Sequence, residues 1–435
     1  MNANDHAWEK LFRKYDILSA VKARGDYIIS ANQIREYREP RLMTKFDHRK
    51  NLPAIFADNN LAILPISRGD YMISSFLAYY AFDPPSGKAQ KFSVSPAIQS
   101  LMPRFQVSET VSLNCAKACG ILSDFLEDEA IVSTVSGRMS SGCFDFSIDT
   151  VQGKKRVNVC NSQIEIDAAY EGVRYLSLFE AKRNLSGDFL VRQLYYPYRV
   201  WSGRVAKQIK PVFFISSGGV FYLYEYCFED PQNYNSLCLV KQKSYRLSTE
   251  ISMTDIQDMT VNLPVVPEPP VAFPQANSMA RIVNLLELLF LHSLSKNEIT
   301  TRYDFDERQT NYYTDAGRYL GLIQRTRDAD DTIRFNLTPC GRRIMGLAYK
   351  QRQLAIAAQI LSHRVFRETM KVYLRSGYIP HTDEIVRIMK EAHVFQVRSD
   401  STFLRRSSTV SGWIGWILNL VDAYLFAGRT DCRPP

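Results

Sequence analysis

The sequence predicts an α/β chain: a mixed sheet flanked by helices in the middle, an α+β segment before it, and a helical segment with short strands after it. Three observations carry that expectation. Strand-length runs of alternating or continuous apolar residues crowd the region from about residue 137 to 226, whereas helix-length apolar periodicity dominates the last third. Between them lies Asn262 to Pro274, with five prolines, which suits neither helix nor central strand and reads as an extended spacer. At 435 residues and 46% hydrophobic content the chain is long enough for two to four cores of roughly 100 to 200 residues each.

Each element follows from its residues. In the expected N-terminal domain, 1–99, the segment from Trp8 to Tyr71 holds a basic run with Arg38, Arg41, Lys45 and Arg49, then a hairpin over Leu61 to Ile73. The central domain, 100–261, opens with a helix over Val107 to Glu129, capped by Ser108 and striped by Leu113, Ala116, Ile121, Leu122 and Phe125. An alternating strand over Gly137 to Ile148 and an edge at Arg156 to Val159 follow. Further on, Lys210 to Ile215 and Gly219 to Tyr226 are two apolar strands joined by a Ser-Ser-Gly-Gly turn. Beyond the spacer, 262–277, the helices expected in 278–350 run over Ala280 to Leu294, Lys296 to Tyr303 and Glu307 to Leu322, and a strand over Ile333 to Thr338 closes the group. A second helix-turn-helix-like region, 351–435, contains a helix from Thr382 and a longer one within Arg398 to Leu420.

Chemistry concentrates in Gln163-Ile-Glu165-Ile-Asp167 and Leu178-Phe-Glu180-Ala-Lys182. Alternation puts Glu165 with Asp167 on one face of their strand and Glu180 with Lys182 on one face of theirs. An acidic-x-Lys triplet alone carries no weight, since 45 acidic residues and 19 lysines give about two by chance. Its setting does: an acidic strand, a turn at Glu171-Gly172, the apolar strand ending in the triplet, then an amphipathic segment from Asp188 to Trp201. Two carboxylates for a hard divalent cation and an amine beside the attacking water are what metal-assisted phosphodiester hydrolysis requires.

This order of strand, turn, strand and helix resembles the PD-(D/E)xK nuclease core, and the chain as a whole is similar to type II restriction endonucleases. The resemblance implies a mixed-sheet core and Mg2+ as cofactor, held by Asp167, Glu180 and the backbone carbonyl of Ala181. Lys182 would orient or deprotonate the attacking water, and Gln193 stands where many relatives carry a supporting glutamine. No proline precedes Asp167, and Glu165 offers a second carboxylate on the same strand, so the first ligand is open between the two. Glu109 and Glu127 are further acidic candidates on the preceding helix.

The 278–350 region resembles a winged helix. Its third helix carries Arg308, Gln309, Tyr312 and Arg318 outward, with donors that suit major-groove edges and phosphates. In the last region Arg405, Arg406 and Thr409 are placed for phosphate contact before a Trp-bearing apolar stretch. Charge distribution agrees with a double-stranded DNA partner: the net is +4 over 1–100, −2 over 101–275 and +7 over 276–435, where 19 arginines face 4 lysines. Two strands to cut favour a homodimer, and a restriction enzyme implies a companion DNA methyltransferase acting on the same site.

Other classes fit poorly. No run reaches the roughly 18 apolar residues of a membrane span and no secretory signal opens the chain, so a cytoplasmic protein is expected. The six histidines form no zinc spacing, His48-Arg-Lys50 lacks the aspartate that would complete a phospholipase D motif, and no P-loop is present. Eight scattered cysteines read as reduced core residues. Two alternatives share the same residues: a DNA-binding regulator with an inactive nuclease fold, disfavoured by the intact Asp167, Glu180 and Lys182, and a structure-directed repair nuclease, which would need little base readout.

Overall fold

A computed structural model describes residues 3–83, 89–95, 98, 100–101, 108–183, 186–217, 219–248, 250–303, 307–328 and 330–421. Val107, where the first central helix was expected to begin, and residues 422–435 of the expected last domain lie outside the described residues. The fold is mixed α/β around a mixed sheet. It divides into two compact units: residues 1–90, 108–216 and 220–245, and residues 91–107, 217–219 and 246–435.

In the first unit, helix Ala3–Lys14 sends Trp8 and Phe12 into an edge-to-face cluster with Phe56. Against this cluster lies a small antiparallel sheet in which Asp70–Ser74 pairs with both Asp26–Ser30 and Ala62–Pro65, the last two-strand pairing being the hairpin expected from the sequence. The same unit continues into the main sheet. Six of its seven strands neighbour one another in the order Leu237–Leu247, Val220–Phe228, Gln208–Ser217, Tyr175–Lys182, Ala168–Glu171 and Val132–Ser133.

Two of these pairings place the site. Tyr175–Lys182 runs antiparallel to Ala168–Glu171 and parallel to Gln208–Ser217, the parallel step being crossed by helix Arg192–Ser202. Val212, Phe213, Phe214 and Ile215 are all fully buried, as a continuous apolar run in a covered parallel strand should be. The helix expected over Val107 to Glu129 is two helices, Glu109–Ala118 and Ile121–Leu126. Gly120, at φ 76°, turns the chain between them, while Ser108 caps the first as expected by accepting from Val111 N at 3.1 Å.

One cysteine expectation is corrected. Strands Cys143–Thr150 and Gly153–Cys160 pair with Cys143 opposite Cys160, and that register brings the two sulfurs into a disulfide on the accessible end of the hairpin. Cys227 and Cys238 are free thiols with sulfurs 2.8 Å apart.

In the second unit, helices Met279–Leu291, Lys296–Tyr303 and Glu307–Tyr319 are followed by strands Ile323–Arg327 and Ile333–Leu337, the latter also pairing with Leu294–Ser295. Helices Tyr349–Leu361, Arg364–Ser376, Thr382–Glu391 and Asp400–Leu420 share one apolar core with them, including Ile282, Leu286, Ile360, Phe366 and Trp413. The proline-rich segment is extended, and it is bonded along its length to these helices. Val266 N donates to Ser362 O at 3.0 Å, Arg367 to Pro264 O at 3.2 Å, and Trp413 Nε1 to Ala276 O at 2.7 Å.

Candidate active site

The antiparallel register Ala168↔Phe179 sets Asp167 opposite Glu180. Asp167 is the bend between two short strands: Gln163–Ile166 pairs with Gly137–Ser140, whereas Ala168–Glu171 pairs with the triplet strand. That change of partner breaks the alternation that would hold Glu165 and Asp167 together. Glu165 is exposed and faces Arg138 at 3.3 Å, while Asp167 turns inward and accepts from Ala181 N at 2.7 Å.

Glu180 and Lys182 leave their strand on one face, with the Lys182 ammonium donating to Glu180 Oε1. Gln193, one residue into helix Arg192–Ser202, donates from Nε2 to the same Glu180 oxygen at 2.6 Å. Its own Oε1 is enclosed and has no hydrogen-bond partner among the described residues. Glu165, Glu180 and Gln193 then form the polar lining of a small pocket whose apolar walls include Leu178, Leu194 and Pro197. Asp167, Glu180, Ala181, Lys182 and Gln193 thus meet in one place, and Glu165, exposed and ion-paired to Arg138, borders Glu180 and Gln193 from the pocket side.

Electrostatics at this place are unusual. Burial pushes the Glu180 carboxyl up to about 7, with Asp167 and Asp47 adding to the rise and Lys182 opposing it. Burial would lower Lys182, but Glu180, Asp47 and Asp167 outweigh it and hold the ammonium above its ordinary range. Glu109, at the start of its helix, is raised by burial and by Asp167, against Lys182, Arg183 and Lys45. The site therefore carries more carboxylate than cation, and an ion of opposite sign would relieve it.

Asp47 was not visible as a site residue in the sequence. It arrives from the N-terminal segment because its neighbours are fastened to strand Asp188–Leu190, directly before the Gln193 helix. Asp47 O accepts from Leu190 N at 2.9 Å, His48 Nδ1 donates to Asp188 O at 2.6 Å, and Arg49 N donates to Asp188 Oδ1 at 3.2 Å. The lone Asp in a basic run gave no local signal. Of the basic residues expected nearby, Arg41, Lys45 and Arg49 are exposed, Lys45 standing 3.9 Å from Asp47, and Arg38 is engaged with Asn4 at 2.7 Å.

In the second unit Arg308 and Arg405 are exposed, Gln309, Tyr312 and Arg406 are partly covered, and Arg318 is ion-paired to Asp315 at 2.8 Å. Thr409 corrects the sequence expectation: at 1% exposure it is packed inside the helical core and cannot meet a phosphate. Arg318 keeps its outward position, with its charge already answered by a carboxylate.

Hard oxygen donors fit a divalent cation here. Asp167 keeps one carboxylate oxygen beyond the bond to Ala181 N, and Glu180 is nearly buried at 9% exposure with its ionised form disfavoured. Among the described residues no three His, Cys, Asp or Glu side chains gather closely enough to hold a metal by themselves. Two carboxylates, a backbone carbonyl and water would complete the coordination Mg2+ favours. Three families match the chain in succession, each described as a domain of unknown function: DUF6996 over residues 5–73, DUF6997 over 74–246 and DUF7226 over 281–422. No curated protein and no solved structure matches it.

Proposed function

We propose that the chain is a Mg2+-dependent endonuclease of PD-(D/E)xK type acting on double-stranded DNA, and within that class a type II restriction enzyme. The observation that carries this is the convergence of Asp167, Glu180, Lys182 and Gln193 at the bend of one hairpin, next to a strand-helix-strand parallel crossover. Four residues drawn from three elements meet where phosphodiester hydrolysis needs them.

Asp167, Glu180 and the Ala181 carbonyl would hold the metal. When bound, Mg2+ supplies Lewis-acid polarisation of a phosphoryl oxygen and a more acidic water. Gln193 fixes the Glu180 carboxylate by its amide, so the ligand is oriented before substrate arrives. Lys182, held protonated by three carboxylates, places positive charge beside the scissile phosphate and steadies the negative charge that builds there. An ammonium in that state donates a proton or a hydrogen bond and does not abstract one. Lys45 and Arg49, exposed on the segment docked beside the site, are placed to hold flanking phosphates.

In the second unit, three helices followed by a two-stranded wing, with a short strand completing the sheet, support the winged-helix reading. Arg308 and Gln309 near the start of the third helix are the proposed DNA contacts, with Gln309 the base reader. Homodimerisation and a companion methyltransferase belong to the same proposal.

The test is cleavage of mixed-sequence phage DNA by the purified full chain with Mg2+. Discrete bands are expected, EDTA should stop the reaction, and Ca2+ should support binding with little hydrolysis. Lys182→Ala and Asp167→Ala should abolish cleavage and leave binding intact. Wild-type cleavage by either variant would refute the site.

A further inference from the structure

Arg308 with Tyr312, and Arg405 with Arg406, lie almost a hundred positions apart in sequence on two different helices, Glu307–Tyr319 and Asp400–Leu420. Both helices converge on the start of helix Met279–Leu291. Tyr313 is hydrogen-bonded to Arg281 there, Trp413 Nε1 donates to Ala276 O at 2.7 Å, and Gly412 approaches Asn277 so closely that a Cβ would stand 2.5 Å from its carbonyl oxygen. Arg406 is seven residues before Trp413, two turns along the same helical face and about 10 Å away along the axis. Its charge is felt by Tyr312, the neighbour of Tyr313, and by Arg405. From the other side, Arg308 Nε donates to the Tyr312 hydroxyl at 2.8 Å.

Arg406 is poorly provided for by the protein itself. Its Nε and Nη1 are enclosed, yet neither has a hydrogen-bond acceptor among the described residues, and burial and Arg405 both work against its charge. A guanidinium with two nitrogens lacking an acceptor is unfavourable, and the group that satisfies it best is a planar or tetrahedral oxyanion. Arg406 as a whole is only partly covered, and Arg405 next to it in the chain and Arg308 are both exposed, so an oxyanion can approach from solvent.

We propose that Arg308, Tyr312, Arg405 and Arg406 form a single grip on the sugar-phosphate backbone of a DNA duplex, built jointly by the two helices. This rests on the DNA reading above and deepens it. The last helical region is then a backbone anchor that completes the winged-helix surface, and Arg406 orders the register of that helix on the phosphates. Tyr312 supplies the hydroxyl that aligns Arg308, so the fork is set before contact.

The experiment measures anisotropy of a fluorescein-labelled mixed-sequence DNA duplex with the full chain at several salt concentrations, for wild type, Arg406→Met, Arg308→Ala and the double variant. Each single substitution should weaken binding about tenfold and lower the salt slope by about one. The double variant should lose less than the product of the singles, because both act on one phosphate group. Arg406→Lys, which keeps charge and packing but loses the fork, should recover part of the loss. Wild-type affinity in Arg406→Met, losses that simply multiply, or tighter capture of an RNA duplex of equal length would each overturn the grip. Cleavage by the same proteins separates the two levels. Variants that bind and cut DNA like wild type refute the grip and leave the nuclease standing, whereas a wild-type chain that neither binds nor cuts DNA removes both.

Discussion

Glu180→Gln should make the metal-free protein more stable while it abolishes cleavage. Burial, Asp167 and Asp47 raise the Glu180 carboxyl from 4.5 to about 7 in the folded chain, despite Lys182. A group whose folded value is raised contributes stability below its unfolded value and loses it as pH climbs through the folded one. Between pH 4.5 and 7 the ionised carboxylate therefore destabilises the fold progressively, by about 3 kcal/mol in full, since each unit corresponds to about 1.4 kcal/mol. Glutamine copies the shape of the neutral acid and never ionises. At about pH 8 in EDTA the variant should melt roughly 6 to 10 °C above wild type, and below about pH 4.5 the two should coincide. Excess Mg2+ should raise the wild-type midpoint at pH 8 and leave the variant unmoved. Equal midpoints at pH 8, or a difference independent of pH, would refute the account of a carboxylate kept in readiness for a cation.

Two further outcomes follow from buried groups. His363, 4% exposed and stacked 4.4 Å from Tyr319, is pushed down to about 4 by burial, so the unfolded chain takes up its proton near 6.5 and the folded one only near 4. Denaturant titrations should show about 3 kcal/mol of stability lost between neutral pH and about pH 4 from this residue, and His363→Phe should remove that slope. Asp128 accepts from Glu129 N, Arg174 N and Tyr175 N at 3.0 to 3.1 Å and so clamps the turn of the hairpin that carries Asp167 and Glu180. Asp128→Ala should cost about 3 kcal/mol by chemical denaturation and lower cleavage, with Asp128→Asn recovering part of both.

The triplet strand and the helix after it were legible because each is local: alternation and amphipathic spacing specify them within about 30 residues. The choice between Glu165 and Asp167 was not. It depends on Gln163–Ile166 leaving the main sheet to pair with Gly137–Ser140, a contact across 27 positions that no residue near Asp167 announces. Asp47 was hidden for a stronger version of the same reason, since only the docking of its segment on Asp188–Leu190 brings it to the site. Thr409 erred the other way. A hydroxyl following two arginines looks accessible in sequence, but the face of a helix is settled by what packs on it, and Thr409 lies one turn before fully buried Trp413.

The fastening of Asp47, His48 and Arg49 to Asp188–Leu190 has an evolutionary consequence. The families that match residues 5–73 and 74–246 are separate, yet one supplies a carboxylate that acts on Glu180 and Lys182 of the other. A descendant that shed the first segment would bare Asp188 and alter the charge balance at Glu180 in a single event, with no gradual route between. The two should therefore be inherited together, as one gene-level module, and recombination that shuffles domains should cut this lineage after Tyr245 and spare the join at residue 73.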